Sequence, residues 1–321
     1  MIKLPPTRLI DFDIVIVNWN TGNQLLDCLQ LISPASPESS LCLRQCIIVD
    51  NASQDGSADG LENLPLPLTI IRNHENMGFA YAANQGAKVG KSGYILFLNP
   101  DSRLYPDSLV KAFRFLEGKG NQQVGILGIQ LVDSNGVVHR NVARFPTPKS
   151  LFYQMLGLDR LFPGHFPSHF MTDWDHTDSR EVDQVTGAFF LVRRLVFEEI
   201  KGFDERFFMY FEDLDFAYRA KQAGWSSYYL ADAQALHYGG GASYQIKSKR
   251  LYYVFNSRVL YVAKHFGAPS AIKILIACFL VEFWTRLGWS LARSSKETFI
   301  ATIQAYRMFL GTLPQLLRKL R

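Results

Sequence analysis

Residues 94–102 read YILFLNPDS. The apolar run YILFL, bounded by Gly93 and Pro100, reads as a strand, and the triplet Asn99-Pro100-Asp101 sits at its carboxyl end. Three other runs have the same character: FDIVIVNW (Phe12–Trp19), CIIVD (Cys46–Asp50) and LTIIR (Leu68–Arg72). Helical stretches near Gln24–Ile32, Ser57–Leu61, Ala80–Val89 and Ser108–Leu116 separate or follow them. Continuous apolar strands alternating with helices predict an α/β fold with a parallel sheet covered on both faces. Ligands of such sheets bind beyond the carboxyl ends of the strands. The polar clusters fall there: Asn18 and Asn20, Asp50 and Asn51, Asn99 and Asp101.

Farther along, Val124–Val132 and Val182–Arg193 read as strands, and Pro146–Trp174 as a loop-rich insertion with one short helix. Glu212–Ala223 reads as a helix stopped by Gly224, and Ser226–Leu230 as another strand. From Lys249 onward the pattern is helical, with a weak break at Gly267–Pro269. The expected organisation is an α/β unit over 1–246 and a helical appendage over 247–321.

With 321 residues, 48% hydrophobic and 20% charged, the chain has material for a sizeable core and is not of disordered composition. Cys28, Cys42, Cys46 and Cys278 form no C-x-x-C pair, so they read as reduced core thiols of a cytosolic protein rather than zinc ligands. Met1–Asp13 has no long apolar stretch, which argues against a secretory signal. The turn after the first strand reads VNWNTGN. It lacks G-x-G-x-x-G, and G-x-x-x-x-G-K-[ST] occurs nowhere, which counts against dinucleotide oxidoreductases and P-loop enzymes.

Net charge is +5, unevenly spread. Lys247–Arg321 holds 13 Lys and Arg against Glu282 and Glu297, a net +11, which leaves −6 on Met1–Ile246. A basic tail on an acidic body points to an anionic partner.

Four clusters carry chemistry, each with a plainer reading beside it. Asp101 after a strand suits a divalent metal that also holds phosphate oxygens, although Asn-Pro-Asp is also turn-forming. Glu212, Asp213 and Asp215 open a helix, where acids complement the dipole, and Asp215 is spaced to pair with Arg219. They also follow FFMYF, and aromatic surroundings raise a carboxyl's proton affinity, as a general base requires. His237 precedes Gly239-Gly240-Gly241, which permits close approach to a ligand, while a lone His is commonly structural. Asp50–Ser57 (DNASQDGS) is either a polar loop with Ser53 or Asp55 as a helix cap, or a nucleoside contact through Asp50.

Together these stretches resemble glycosyltransferase family 2 in the GT-A fold, and within it the bacterial rhamnosyltransferase-like branch. The resemblance rests on IVNWN (16–20), VDNASQDGS (49–57), NMGFAYAANQG (76–86), LFLNPDS (96–102), VTGAFFLVRR (185–194), GFDERFFMYFEDLDFAYRAKQAGW (202–225) and ALHYGG (235–240). It implies that Asn18, Asp50, Asn51, Gly78, Asn84, Asn99 and Asp101 hold the nucleotide-sugar donor. It further implies that Asp101 and His237 bind Mg²⁺ or Mn²⁺, that Asp213 is the catalytic base, and that Glu212 and Gly187 lie near the acceptor. Asn99 stands where the family's metal motif has its first acid, which removes one charge. The reaction implied is inverting transfer from a nucleoside-diphosphate sugar to a glycan or polyprenyl-diphosphate-linked acceptor in cell-surface polysaccharide synthesis.

The tail carries no family motif. Ile272–Leu291 is apolar but interrupted by Lys273, Glu282 and Arg286, which disfavours a membrane span. Interleaved aromatics and bases suit an anionic membrane surface, on the cytoplasmic face, or packing within a homo-oligomer. No nucleic-acid module accompanies the charge. Two rivals remain at this level: a sugar nucleotidyltransferase, and a degenerate GT-A subunit that binds glycan without turnover.

Overall fold

The computed structural model describes residues 9–32, 35–36, 40–239 and 247–319. The glycines at 240 and 241 and the start of the chain, Met1–Arg8, lie outside them.

Strands β1 (Ile10–Asn18), β2 (Ala35–Ser36), β3 (Leu41–Asp50), β4 (Leu68–Arg72) and β5 (Tyr94–Leu98) build one half of the central sheet, with α1 (Gln24–Gln30) and α2 (Phe79–Val89) between them. β1 pairs in parallel with both β3 and β5, and β4 adds in parallel to β3. The continuous apolar runs are explained by alternation across two covered faces. Ile14, Ile16, Cys46, Ile48, Leu96 and Leu98 join one core cluster; Val15, Ile47, Val49, Ile95 and Phe97 join the other.

The sheet as a whole is mixed, as a mostly parallel GT-A sheet is expected to be. Its order is β2-β3-β1-β5-β11-β7-β12-β6, where β6 is Ser102–Leu104, β7 Val124–Val132, β11 Phe189–Arg193 and β12 Ser226–His237. β11 runs antiparallel to both β5 and β7. Helix α3 (Ser108–Leu116) follows β6 as the sequence predicts.

Four local expectations need correction. Ser57–Leu61 is not helical: Gly56 and Gly60 take φ of +73° and +70°, and only a single 3₁₀ turn at Leu61–Asn63 forms. Val182–Arg193 is not one strand. After β8 (Val142–Ala143), the insertion forms two helices, α4 (Pro148–Met155) and α5 (Leu158–Leu161), not one. The chain then makes β9 (Arg180–Val182) and β10 (Gln184–Val185) before β11, with β10 leaving the main sheet to pair with β8. Helix α6 (Arg194–Glu199) follows directly on β11. Finally, β12 runs on to His237, changing register against β7 between Leu230 and Gln234, and its end pairs with β6.

Helix α7 (Glu212–Gln222) precedes β12, and three helices close the chain: α8 (Lys247–Phe266), α9 (Ala268–Ala292) and α10 (Lys296–Lys319). A π turn over Cys278–Glu282 interrupts α9. The expected boundary at 246 falls outside the described residues, and a third core cluster draws on both expected regions. It joins Leu151, Met155, Phe207 and Leu214 to Phe255, Tyr261, Ile274 and Phe309 of the terminal helices.

Candidate active site

The carboxyl ends of β1, β3 and β5 lie side by side, as parallel pairing requires. Asn18 is opposite Asp50 in the β1–β3 register. The fully buried Asn18 amide donates to Asp50 Oδ1 (2.8 Å) and Ser57 Oγ (2.9 Å), and its oxygen accepts from the Thr21 hydroxyl (2.5 Å). Asn51 is likewise committed. Its amide donates to Gly78 O (3.0 Å) and Asn76 Oδ1 (3.1 Å), and its oxygen accepts from the Asn73 amide (3.0 Å). Both asparagines therefore brace loops, with their amide N–H groups committed to protein acceptors. Asp50 differs: its Oδ2 takes only a long hydrogen bond, 3.3 Å, from the Ser53 backbone.

Asn84 also proves to be a brace. Its oxygen accepts from the Phe203 backbone (2.9 Å), and its amide donates to Phe203 O (2.8 Å) and Glu205 (2.9 Å). It ties α2 to the loop 202–211 that leads into α7. Gly78 serves the same junction. Its φ is +87°, a Cβ there would lie 2.4 Å from Phe208 O, and the following amide, Phe79 N, donates to that oxygen at 2.8 Å. The requirement for glycine is a close backbone crossing.

The turn after β5 and the end of β12 meet through the β6–β12 pairing, which places His237 opposite Ser102. Asp101 Oδ1 lies 3.3 Å from His237 Nε2, although 136 residues separate them. That nitrogen is buried and makes no hydrogen bond, and Asp101 is 7% exposed. A carboxylate and an imidazole facing one point without a hydrogen bond fit a shared cation. The structure thus brings together the pair that the resemblance names. Asn99 holds the turn through its backbone, its N–H donating to Ala188 O (3.1 Å). His139, which carries no sequence signal, packs edge-on against His237 with ring centroids 5.9 Å apart.

The segment after β10 links this pair to the acids of α7. Ser102 Oγ donates to Ala188 O (3.1 Å), and the neighbouring Gly187 N–H donates to Asp213 Oδ2 (3.1 Å). Asp213 Oδ1 accepts from its next backbone N–H, that of Leu214, at 2.8 Å. Tyr210 and Phe211, both at left-handed φ (+66° and +67°), turn the chain sharply into the helix. Burial raises the proton affinity of Asp213, and the two backbone N–H groups oppose that rise. Burial raises Glu212 well above the ordinary range, and the Asp213 charge adds to it. Glu212 Oε2 is buried with no partner. Two backbone N–H groups favour the anionic form of Asp213, and Glu212 Oε2 has no such donor.

A carboxyl raised on folding favours the protonated folded state, so its stabilisation is present at low pH and is lost as pH rises through the raised value. Glu212→Gln removes that loss. The variant is expected to be more stable than the parent at pH 8 by about 1 kcal/mol and little changed near pH 4. Urea titration at the two pH values measures it.

Behind the acids, Asp215 has a fully buried carboxylate. It accepts from Arg219 Nε (2.8 Å), as the sequence spacing predicts, and also from Lys264 Nζ (2.7 Å) and His265 Nε2 (2.8 Å) of α8. Burial alone would raise this carboxyl; the His265 hydrogen bond and the charges of Arg219 and Lys264 outweigh it and hold it below the usual range. Lys264 also reaches Asp204 (2.7 Å) in the loop that Asn84 braces.

The model of "Glycosyl transferase family 2" matches residues 13–201. An N-acetylglucosaminyl-diphospho-decaprenol L-rhamnosyltransferase of Mycobacterium tuberculosis is 27% identical over 239 residues, covering 70% of this chain and 75% of the relative. The rhamnosyltransferase WbbL of Escherichia coli is 28% identical over 193 residues, covering 60% and 69%. Among solved structures, the mannosyltransferase PcManGT of Pyrobaculum calidifontis, in complex with GDP-Man and Mn²⁺, superposes with a TM-score of 0.53 at 16% identity, over 96% of this chain and 91% of that one. That likeness is one of fold.

Proposed function

The chain belongs to glycosyl transferase family 2, and from that premise we propose that it moves a sugar, with inversion, from a nucleoside-diphosphate donor to a polyprenyl-diphosphate-linked glycan. The mycobacterial relative's name supports both the lipid-linked acceptor and rhamnose as the sugar. The single observation that carries the site assignment is the convergence of Asp101 with His237 on one side of Gly187-Ala188 and of Asp213 on the other.

In this reading Asp101 and His237 hold Mg²⁺ or Mn²⁺, and Asp50 receives a hydroxyl of the donor nucleoside through its under-used oxygen. When bound, the cation offsets the charge that develops on the departing diphosphate. Among the described residues no third His, Cys, Asp or Glu joins the pair, and Asn99 brings no charge, so the protein would supply Asp101 and His237 alone to the cation. Asp213 takes the proton from the acceptor hydroxyl as that oxygen attacks the anomeric carbon. The leaving diphosphate needs no acid, so one carboxylate suffices, unlike the two-carboxylate arrangement of glycoside hydrolysis. Glu212 lies next to the base, on the acceptor side in this reading, and its burial beside Asp213 disfavours a second negative charge there. The net +11 of the C-terminal region supports placement at the cytoplasmic face of an anionic membrane.

The test is donor binding. Nucleoside diphosphate is expected to bind in the presence of Mn²⁺ and to lose at least about tenfold in affinity with chelator, or in Asp101→Ala and His237→Ala. Calorimetry measures it; affinity indifferent to chelator removes the metal from the site.

A further inference from the structure

Helix α9 is long and apolar enough to cross a membrane, yet only 33% of its most apolar window is buried. Its exposed residues form one stripe at four-residue spacing, Ile272, Ile276, Leu280 and Trp284, extended by Leu291, at 46–69% exposure. That spacing places them on a single helical face.

The opposite face is committed to protein. Ile274, Leu275 and Cys278 pack in the core that contains Phe255 and Phe309. On the same helix, Glu282 is 3% exposed, pairs with Arg258 of α8, and also meets Arg286 at 2.8 Å. A helix whose inner face holds a buried ion pair against neighbouring helices cannot be surrounded by acyl chains. Lying in the interface meets both constraints.

Charge identifies what the outer face meets. Glu282, the one acid of α9, is turned inward, so the outer face carries no carboxylate. Lys273, Arg293 and Lys296 are exposed beside the stripe or just beyond it. An apolar stripe flanked by bases, with a Trp in it, matches a headgroup–acyl boundary containing anionic lipid.

We propose that the Ile272–Leu291 face of α9 lies in the surface of an anionic bilayer, with the helix parallel to the membrane. This gives the membrane placement proposed above its contact face, and it rests on that placement. Binding then has two components: salt-sensitive attraction through the bases, and salt-resistant insertion of the stripe.

Flotation with phosphatidylcholine vesicles, with and without phosphatidylglycerol, tests it on the full chain. The parent is expected to float with the anionic vesicles, and Leu280→Asp/Trp284→Asp to partition at least about tenfold less. Both positions are exposed, so thermal melting and transfer to a water-soluble acceptor are expected to be unchanged in the double variant. Brominated acyl chains are expected to quench a fluorescence component that Trp284→Phe lacks. Flotation of the double variant equal to the parent overturns the contact face but keeps an electrostatic attachment. No flotation of the parent overturns both. Resistance of the bound parent to alkaline carbonate, or a dimer in sedimentation equilibrium that the double variant dissociates, also overturns the proposal, the first in favour of a span and the second in favour of a second copy of the chain.

Discussion

Asp213→Asn is expected to lower kcat by about 10²–10⁴-fold and to leave the donor dissociation constant within about twofold. The carboxylate oxygens of Asp213 already accept two backbone N–H groups, from Gly187 and Leu214, so its position is set before the acceptor arrives. Asparagine occupies the same space but cannot accept the proton of the attacking hydroxyl. The pH dependence carries the same assignment. Burial raises Asp213, so the parent's rate is expected to climb with pH along a limb above the ordinary aspartate range, as the base loses its proton. The residual rate of Asp213→Asn is expected to lack that limb. Single-turnover kinetics with saturating donor separates the loss of chemistry from any loss of binding.

Asp215→Ala is expected to destabilise the fold by about 3–5 kcal/mol, because it removes the buried carboxylate that Arg219, Lys264 and His265 share. Lys264→Met is expected to cost less: Asp215 keeps Arg219 and His265, and Asp204 keeps Arg206. Urea unfolding reads both. These contacts fasten the first turn of α7, where Asp213 lies, to α8 of the C-terminal region. Lys264→Met is therefore expected to lower kcat more than donor affinity. Equal losses in both would mean that the contact serves stability alone.

The strands of the first half of the fold are legible because each is a short apolar run whose alternate residues enter two cores, and β4 and α3 match their predicted limits. Asp101, His237 and Asp213 are legible as types of residue in a type of place. What the sequence cannot convey is partnership at long range. Asn18, Asn51 and Asn84 carry the chemistry of ligand-binding amides, and only the fold shows that neighbouring loops occupy them. Lys264 and His265 look like ordinary bases at a helix end, and their role arises because α8 packs against α7 fifty residues away. The extension of β12 past Leu230 hides behind the polar residues Asp232 and Gln234, where the ladder slips before pairing with β6.

The central claim is that a single base, Asp213, drives in-line attack on the anomeric carbon of a nucleoside-diphosphate sugar. It is tested most directly by the anomeric configuration of the transferred sugar, read by NMR from the one-bond carbon–hydrogen coupling in product and donor. Inversion in the parent, with Asp213→Asn forming the same inverted product about 10²–10⁴-fold more slowly, is the predicted result. Retention, or no transfer from any donor that binds, would contradict it.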